Sequence, residues 1–239
     1  MKIALLGYGK MGKMVEQLLY RDGHEVILKV NSTNRQAITA EQLKGADAVI
    51  EFSSPHSVIN NIKLCLEAGV PMVVGTTGWQ DHLPEVKQWC LEKNGSLVYA
   101  SNFSVGVNIF LNINRRLAAL MKSRDEYSLR ITETHHTEKK DAPSGTAISI
   151  ANDILSESPL KTSWVNHESD NSSELIILSR REENVIGIHA IEYFSAVDKI
   201  EIKHEAFSRE GFARGAILAA QWLMGKRGFF EFSEILDKV

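Results

Sequence analysis

The chemistry of this chain is concentrated in one short stretch, Glu133-Thr134-His135-His136-Thr137-Glu138-Lys139-Lys140-Asp141-Ala142-Pro143-Ser144-Gly145-Thr146-Ala147. Imidazole and ammonium groups can give a proton to a reacting centre when their pKa is tuned toward the working pH. Ser144 is placed to cap a helix, which turns the backbone N–H groups of Gly145 and Thr146 outward as a cradle for a carboxylate or phosphate. Lys139 and Lys140 add positive charge beside that cradle, so the segment predicts an anionic substrate. Other readings compete. A capped polar loop needs no function at all. His135, His136 and Glu138 could ligate a metal, but neighbours on a strand point to opposite faces, so two adjacent histidines rarely hold one ion; no metal is expected. Ser144 as a nucleophile lacks the strained elbow that chemistry needs.

A second segment could hold a cofactor. Gly7-Tyr8-Gly9-Lys10-Met11-Gly12 fits G-x-G-x-x-G directly between an apolar run and a helical pattern. Gly7 permits the tight turn, Gly9 lets the backbone approach a pyrophosphate, and Gly12 lets helix and strand pack closely. The helix start beyond them offers unpaired N–H groups to the phosphates. Where the next strand ends, many dinucleotide sites carry an acid for the adenosine ribose; here Asn31 stands, with Arg35 nearby. Asn31 would not repel a 2′-phosphate and Arg35 could pair with one, so NADPH is expected to serve at least as well as NADH. Gly75-Thr76-Thr77-Gly78 and Ala100-Ser101-Asn102-Phe103 each follow a predicted strand, where ligands of open α/β sheets bind; composition alone leaves them equally readable as ordinary turns.

These segments need a scaffold. Strands are predicted at 3–6, 26–30, 48–52, 72–74 and 97–99, alternating with helices at 10–21, near 41–44, at 56–68 and at 83–93. Apolar strands alternating with helices imply a parallel sheet covered on both faces. After Asn102 the pattern changes to a long helix at 104–122, a strand at 128–134, a helix at 144–155 and a polar loop at 157–171. Strands follow at 174–179, 188–194 and 199–205; strands without intervening helices favour a mixed or antiparallel sheet. A helix at 210–224 and an apolar tail at 229–236 close the chain. The expected fold is α/β: a Rossmann-like dinucleotide domain of residues 1–104 plus 213–239, and an inserted α+β domain, 105–212, for substrate binding and oligomerisation. With a net charge of −3, nothing favours nucleic acid or a membrane as partner. Cys65 and Cys90 sit at no metal-ligand spacing and read as reduced thiols, and MKIALL stops at Gly7, short of a signal-peptide core. A cytoplasmic protein is expected.

The Glu133–Ala147 segment resembles the signature E-x-H-H-x-x-K-x-D-A-P-S-G-T-A of the 4-hydroxy-tetrahydrodipicolinate reductase family, formerly dihydrodipicolinate reductase, of bacterial lysine and diaminopimelate synthesis. Gly75–Gly78, Asn102–Asn108, and Ser208-Arg209 with Phe212-Ala213 and Gly215-Ala216 resemble the family too, in its order. The resemblance implies that His135 is a general acid/base, that Lys139 is the proton donor, and that His136, Gly145 and Thr146 bind a small dicarboxylate substrate. It places the cofactor, NADPH or NADH, on Gly7–Gly12, Gly75–Thr77 and Ala100–Phe103, and implies a homotetramer built through the inserted sheet. The glycine loop is one residue shorter than the family's GxGGRMG form, Asn31 replaces a common acid, and Thr137 and Glu138 replace basic residues. The chain is also shortened between Asn31 and Asp47. A related dehydrogenase acting on aspartate or an inositol would explain the glycine turn but not the anion cradle. A dinucleotide-binding sensor would need no proton donor. Arg181, His189, His204 and Arg209 are basic residues that fit either the site or an ordinary surface.

Overall fold

The strands of the first sheet are apolar on successive residues, and a computed structural model shows where both faces go. It describes residues 1–34 and 38–238; Arg35 lies outside them. β1 (Lys2–Leu6), β2 (Glu25–Val30), β3 (Ala48–Glu51), β4 (Met72–Val74), β5 (Ser96–Tyr99) and β11 (Gly228–Glu231) form one parallel sheet in the order β11-β5-β4-β3-β1-β2. Alternate residues feed two separate cores. Ile3, Leu5, Ile50, Val73 and Val98 meet α1 (Lys10–Arg21) and α7 (Glu210–Leu223). Ala4, Leu6, Val49, Met72 and Leu97 meet α3 (Pro55–Ala68) and α4 (Leu83–Glu92). Each fully buried Leu, Ile or Val stabilises the fold by about 1.5–3 kcal/mol, so two-sided burial sets strand identity more firmly than propensity does. Cys65 and Cys90 are buried free thiols of the second core, and burial pushes Cys90 up to about 11.

The apolar tail does more than pack: its first half becomes β11, pairing parallel to β5, and Phe232 and Ile235 of α8 (Phe232–Ile235) enter the first core. The short α2 (Ala40–Leu43) lies where a brief helix is predicted.

By its internal contacts the chain divides into Met1–Val105 with Arg209–Val239, and Gly106–Ser208. In the second unit, β6 (Ser128–His135) is central. β8 (Glu174–Arg181) runs parallel to it, β9 (Gly187–Phe194) antiparallel, and β10 (Lys199–Ala206) and β7 (Ser163–Val165) form the edges in the order β10-β9-β6-β8-β7. The expected polar loop at 157–171 therefore contains a strand. Three residues are too few to show alternation, and β7 exists through its pairing with β8. One face of this mixed sheet is covered by α5 (Val105–Met121) and α6 (Gly145–Glu157), whose Phe110, Ala118, Ala147, Ile150 and Ile154 pack on Leu129, Ile131, Leu175, Ile177 and Ile191. Among the described residues, no helix is long and apolar enough to cross a membrane.

Candidate functional site

In the first unit the strand order reverses between β1 and β3, the switch point at which open α/β sheets bind ligands. Gly7 follows β1 with φ +99°, and a Cβ there would lie 2.1 Å from the Phe52 carbonyl oxygen. Only glycine fits that turn. A Cβ at Gly12 would meet the Gly7 carbonyl oxygen at 2.5 Å, so this glycine is needed for the turn itself. At Gly9 a Cβ would meet nothing within 4 Å, which leaves open space in front of the helix start. No acidic residue occupies the first turn of α1, where Lys10, Met11 and Gly12 present their N–H groups. Tyr8 is tied back, its hydroxyl donating to Glu16, which Lys29 also pairs at 3.0 Å. The Tyr8 bond, chiefly, holds the Glu16 carboxyl below its usual range. A cavity bordered by Gly7, Gly9, Asn31, Ser32, Ser53 and Asn61 opens here. Its glycine turn, free helix start and polar rim fit a dinucleotide.

The other loops of this unit contribute framework. The Asn31 side-chain oxygen accepts from the Thr33 N–H (2.9 Å) and hydroxyl (2.6 Å), so that atom shapes its own loop. Buried Thr76 accepts from the Ser53 N–H at 2.8 Å, and a Cβ at Gly75 would strike the Phe52 ring at 2.0 Å. Thr77 and Ser101 are exposed. Asn102 caps the Ser104 N–H at 2.9 Å. Ala100 and Phe103 are buried, with the Phe103 ring packed on Phe232, 4.9 Å between centroids. Their side chains hold the loop. Glu51 is fully buried; burial pushes its carboxyl up against hydrogen bonds from Ser53, Thr76 and Asn61.

In the second unit the site follows from register. Glu133 and His135, two residues apart on β6, share one face; Ser179 and His189 lie opposite Glu133 on either side, and Arg181 lies opposite His135. The buried face thus changes from aliphatic (Leu129, Ile131) to ionisable (Glu133, His135) along one strand. His135 Nδ1 lies 2.9 Å from Glu133 Oε2, and Arg181 Nη1 lies 3.4 Å from Glu133 Oε1. Burial is the largest single influence on the Glu133 carboxyl and would raise its pKa. The neighbouring His135, Ser144 and Ser179, with the charge of His135, outweigh it and hold the group well below the carboxylate range. His135 turns Nδ1 toward Glu133, and Nε2 is its other ring nitrogen. The His189 ring stands edge-on to His135, 5.1 Å between centroids. Burial, then the charge of His135, pushes His189 down to about 3, so it is neutral at pH 7.

The strand ends at His135 and the chain turns, the Lys139 N–H donating to the His136 carbonyl at 3.1 Å. His136 is half-buried and Lys140 exposed. Lys139 Nζ pairs with Asp141 Oδ2 at 2.6 Å, which holds Asp141 below its usual range. Ser144 is the helix cap the sequence predicts: its hydroxyl accepts from the Ala147 N–H at 3.2 Å and lies 3.1 Å from His189 Nε2. Exposed Gly145, with no atom within 4 Å of a Cβ position, and half-buried Thr146 begin α6 with their N–H groups uncovered by a cap.

Glu133, His135 and His189 bring possible ligand atoms within 4.8 Å of one another, a different set from His135, His136 and Glu138. Arg181 already sets a fixed positive charge against the same carboxylate, which disfavours a second cation. The geometry is that of an imidazole set against a carboxylate. Of the basic residues left undecided by sequence, Arg181 and His189 join this cluster. His204, half-shielded on β10, faces His189, and Arg209 sits at the N-terminal boundary of α7 in the other unit without capping it. Glu133 was the residue sequence reasoning passed over. The signal was its two-residue spacing from His135, which puts both on one face of a strand.

A parallel sheet with a glycine turn at its switch point, in one chain with a cationic histidine–lysine site, defines a nicotinamide-dependent oxidoreductase. The chain belongs to the dihydrodipicolinate reductase family: residues 1–103 match the model described as "Dihydrodipicolinate reductase, N-terminus" and residues 106–236 the one described as "Dihydrodipicolinate reductase, C-terminus". It is 41% identical over 239 residues to the 4-hydroxy-tetrahydrodipicolinate reductase of Christiangramia forsetii, covering 99% of this chain and 98% of that protein. It is 34% identical to the protein of the same name from Rickettsia rickettsii, covering 91% and 92%. Among solved structures, the dipicolinate-bound dihydrodipicolinate reductase of Paenisporosarcina sp. TG-14 has the same fold, with a TM-score of 0.77 at 21% identity over 98% of both chains.

Proposed function

We propose that the chain catalyses the NAD(P)H-dependent reduction of 4-hydroxy-tetrahydrodipicolinate in diaminopimelate and lysine synthesis. One substrate, one NAD(P)H and one proton give tetrahydrodipicolinate, NAD(P)⁺ and water. The observation that carries the reading is His135 set against the buried Glu133 carboxylate, with Lys139 and a capped helix start following within one segment. When bound, the reduced nicotinamide supplies the hydride. The first unit's part is to hold it: the Gly7–Gly12 turn takes the pyrophosphate, the Asn31 loop the ribose, and the Gly75–Thr77 and Ala100–Phe103 backbones the nicotinamide half. In the second unit His136 and the N–H groups of Gly145 and Thr146 seat the substrate carboxylates, Lys139 delivers the proton, and His135 acts as acid/base through Nε2.

The finer properties belong to the same proposal. NADPH serves at least as well as NADH, because Asn31 places no carboxylate against a 2′-phosphate. The protein is a cytoplasmic homotetramer. Supporting the assembly, Thr132, Ile176, Leu178, Ile188 and Ala190 alternate with the core residues and are half-buried on the sheet face away from α5 and α6.

The test is cofactor oxidation on freshly made substrate from a coupled synthase, with wild type and His135→Gln. Wild type should oxidise both cofactors, and His135→Gln should lose about 10²-fold in kcat, the scale of lost acid/base catalysis. Oxidation of neither cofactor by wild type refutes the function. A preference for NADH above about tenfold, roughly 1.4 kcal/mol, refutes the cofactor reading alone.

A further inference from the structure

We infer that Arg181 is a positioning residue for Lys139, clamping the loop that carries the proton donor to the buried end of β6. The inference rests on the proposed role of Lys139. Arg181 ends β8, directly opposite His135. Its guanidinium bonds back onto the chain: Nη2 donates to the Asp141 carbonyl at 2.7 Å, Nε to the Lys139 carbonyl at 3.3 Å, and Nη1 to Glu133 Oε1 at 3.4 Å and to its own neighbour, the Arg180 carbonyl, at 2.7 Å. Three of those acceptors lie in the Glu133–Ala147 segment. The donors of a guanidinium are fixed in one plane, so carbonyls 139 and 141 and the carboxylate of Glu133 cannot move independently while all are bonded.

The loop needs such a clamp. After His135 the chain leaves the sheet, and α6 begins only at Gly145. Lys139 lies between, on a long side chain whose ammonium is paired with exposed Asp141. Fixing the carbonyls at both ends of Lys139–Asp141 restricts where that ammonium can reach. A misplacement of about 1 Å in such a group can cost on the order of 10²-fold in rate. Arg181 acts through backbone carbonyls and Glu133 and touches no reacting atom, so its effect is felt in turnover and depends on Lys139 being there.

The experiment is a double-mutant cycle in steady-state kinetics with wild type, Arg181→Ala, Lys139→Ala and the double variant, each checked for a cooperative thermal transition. Arg181→Ala should lower kcat about 10- to 100-fold and change KM by about threefold or less. On the Lys139→Ala background the same substitution should cost only about threefold in kcat or less, since nothing remains to be positioned. Arg181→Lys keeps the charge but cannot span three acceptors, and should resemble Arg181→Ala. If Arg181→Ala does not fold, Arg181→Lys and Arg181→Gln carry the same cycle. Equal losses on both backgrounds overturn the inference, as does a loss confined to KM, which would make Arg181 a substrate contact, or full activity of Arg181→Lys. Near-normal turnover of Lys139→Ala overturns the role of Lys139 itself and the inference with it; additive losses with an impaired Lys139→Ala overturn the inference alone.

Discussion

Gly187 faces His135 from the neighbouring strand, and it is the absence of a side chain there that leaves the imidazole its place. A Cβ at this position would lie 3.1 Å from His135 Nε2 and 3.3 Å from Cδ2. That is tighter than an ordinary contact, so the ring must yield. Its room to yield is small, because Nδ1 already lies 2.9 Å from Glu133 Oε2 and the His189 ring lies against it. Gly187→Ala is therefore expected to lower kcat about tenfold through a misaligned Nε2, and to leave NADPH affinity within about twofold. Stopped-flow turnover beside fluorescence titration of the cofactor separates the two; unchanged kcat would mean that Nε2 is not the reacting nitrogen. This dependence explains what sequence could and could not show. His135 and Lys139 stand four apart in one segment, so their partnership is written in the chain. Arg181 and His189 come from strands 46 and 54 positions beyond His135, and a one-residue slip in pairing would turn each to the other face. Only the observed register brings them in.

At the scale of elements, close approach matters more than hydrophobicity. Helix α7 is an alanine-rich surface, with Ala213, Ala216, Ala219 and Ala220 all buried, and it rides directly on the chain after β5. A Cβ at Gly215 would lie 1.7 Å from the Phe103 carbonyl oxygen, a backbone atom that cannot swing aside. Gly215→Ala should therefore push α7 off the first core and destabilise the protein by about 1–3 kcal/mol or more, despite the better helix propensity of alanine. A urea midpoint equal to or above that of wild type would show that the helix can shift freely. Helices and parallel strands such as α7 and β1 were legible because burial on two faces, or on one stripe, leaves a period in the sequence. β7 left none, being three residues long, and β11 was visible only as an apolar tail: its place at the sheet edge comes from pairing with β5.

Stability of the whole molecule carries the imprint of the buried ionisable groups, and the signs can be worked through. His189 has its pKa lowered from 6.5 to about 3. Between those values the unfolded chain binds a proton that the folded chain refuses. Stability from this residue is therefore intact above pH 6.5 and declines as the pH falls toward 3. Glu133, held below the carboxylate range, acts in the same direction lower down: its contribution is present above pH 4.5 and is lost as the pH falls through its folded value. Glu51 opposes them. Its raised pKa makes the folded state the better proton binder just above pH 4.5, so its burial weighs against folding at higher pH and is relieved on acidification. The window between pH 7.5 and 5.0 contains most of the upper arm of the His189 effect, about 2 kcal/mol at one pKa unit per 1.36 kcal/mol. His189 is 5% exposed, so solvent screening takes little from that figure. His189→Gln keeps a polar group that can meet the Ser144 hydroxyl but does not titrate. Urea unfolding at the two pH values should show wild type losing about 2 kcal/mol more than this variant on acidification. Parallel losses in the two proteins would mean that the buried imidazole takes up its proton as readily folded as unfolded.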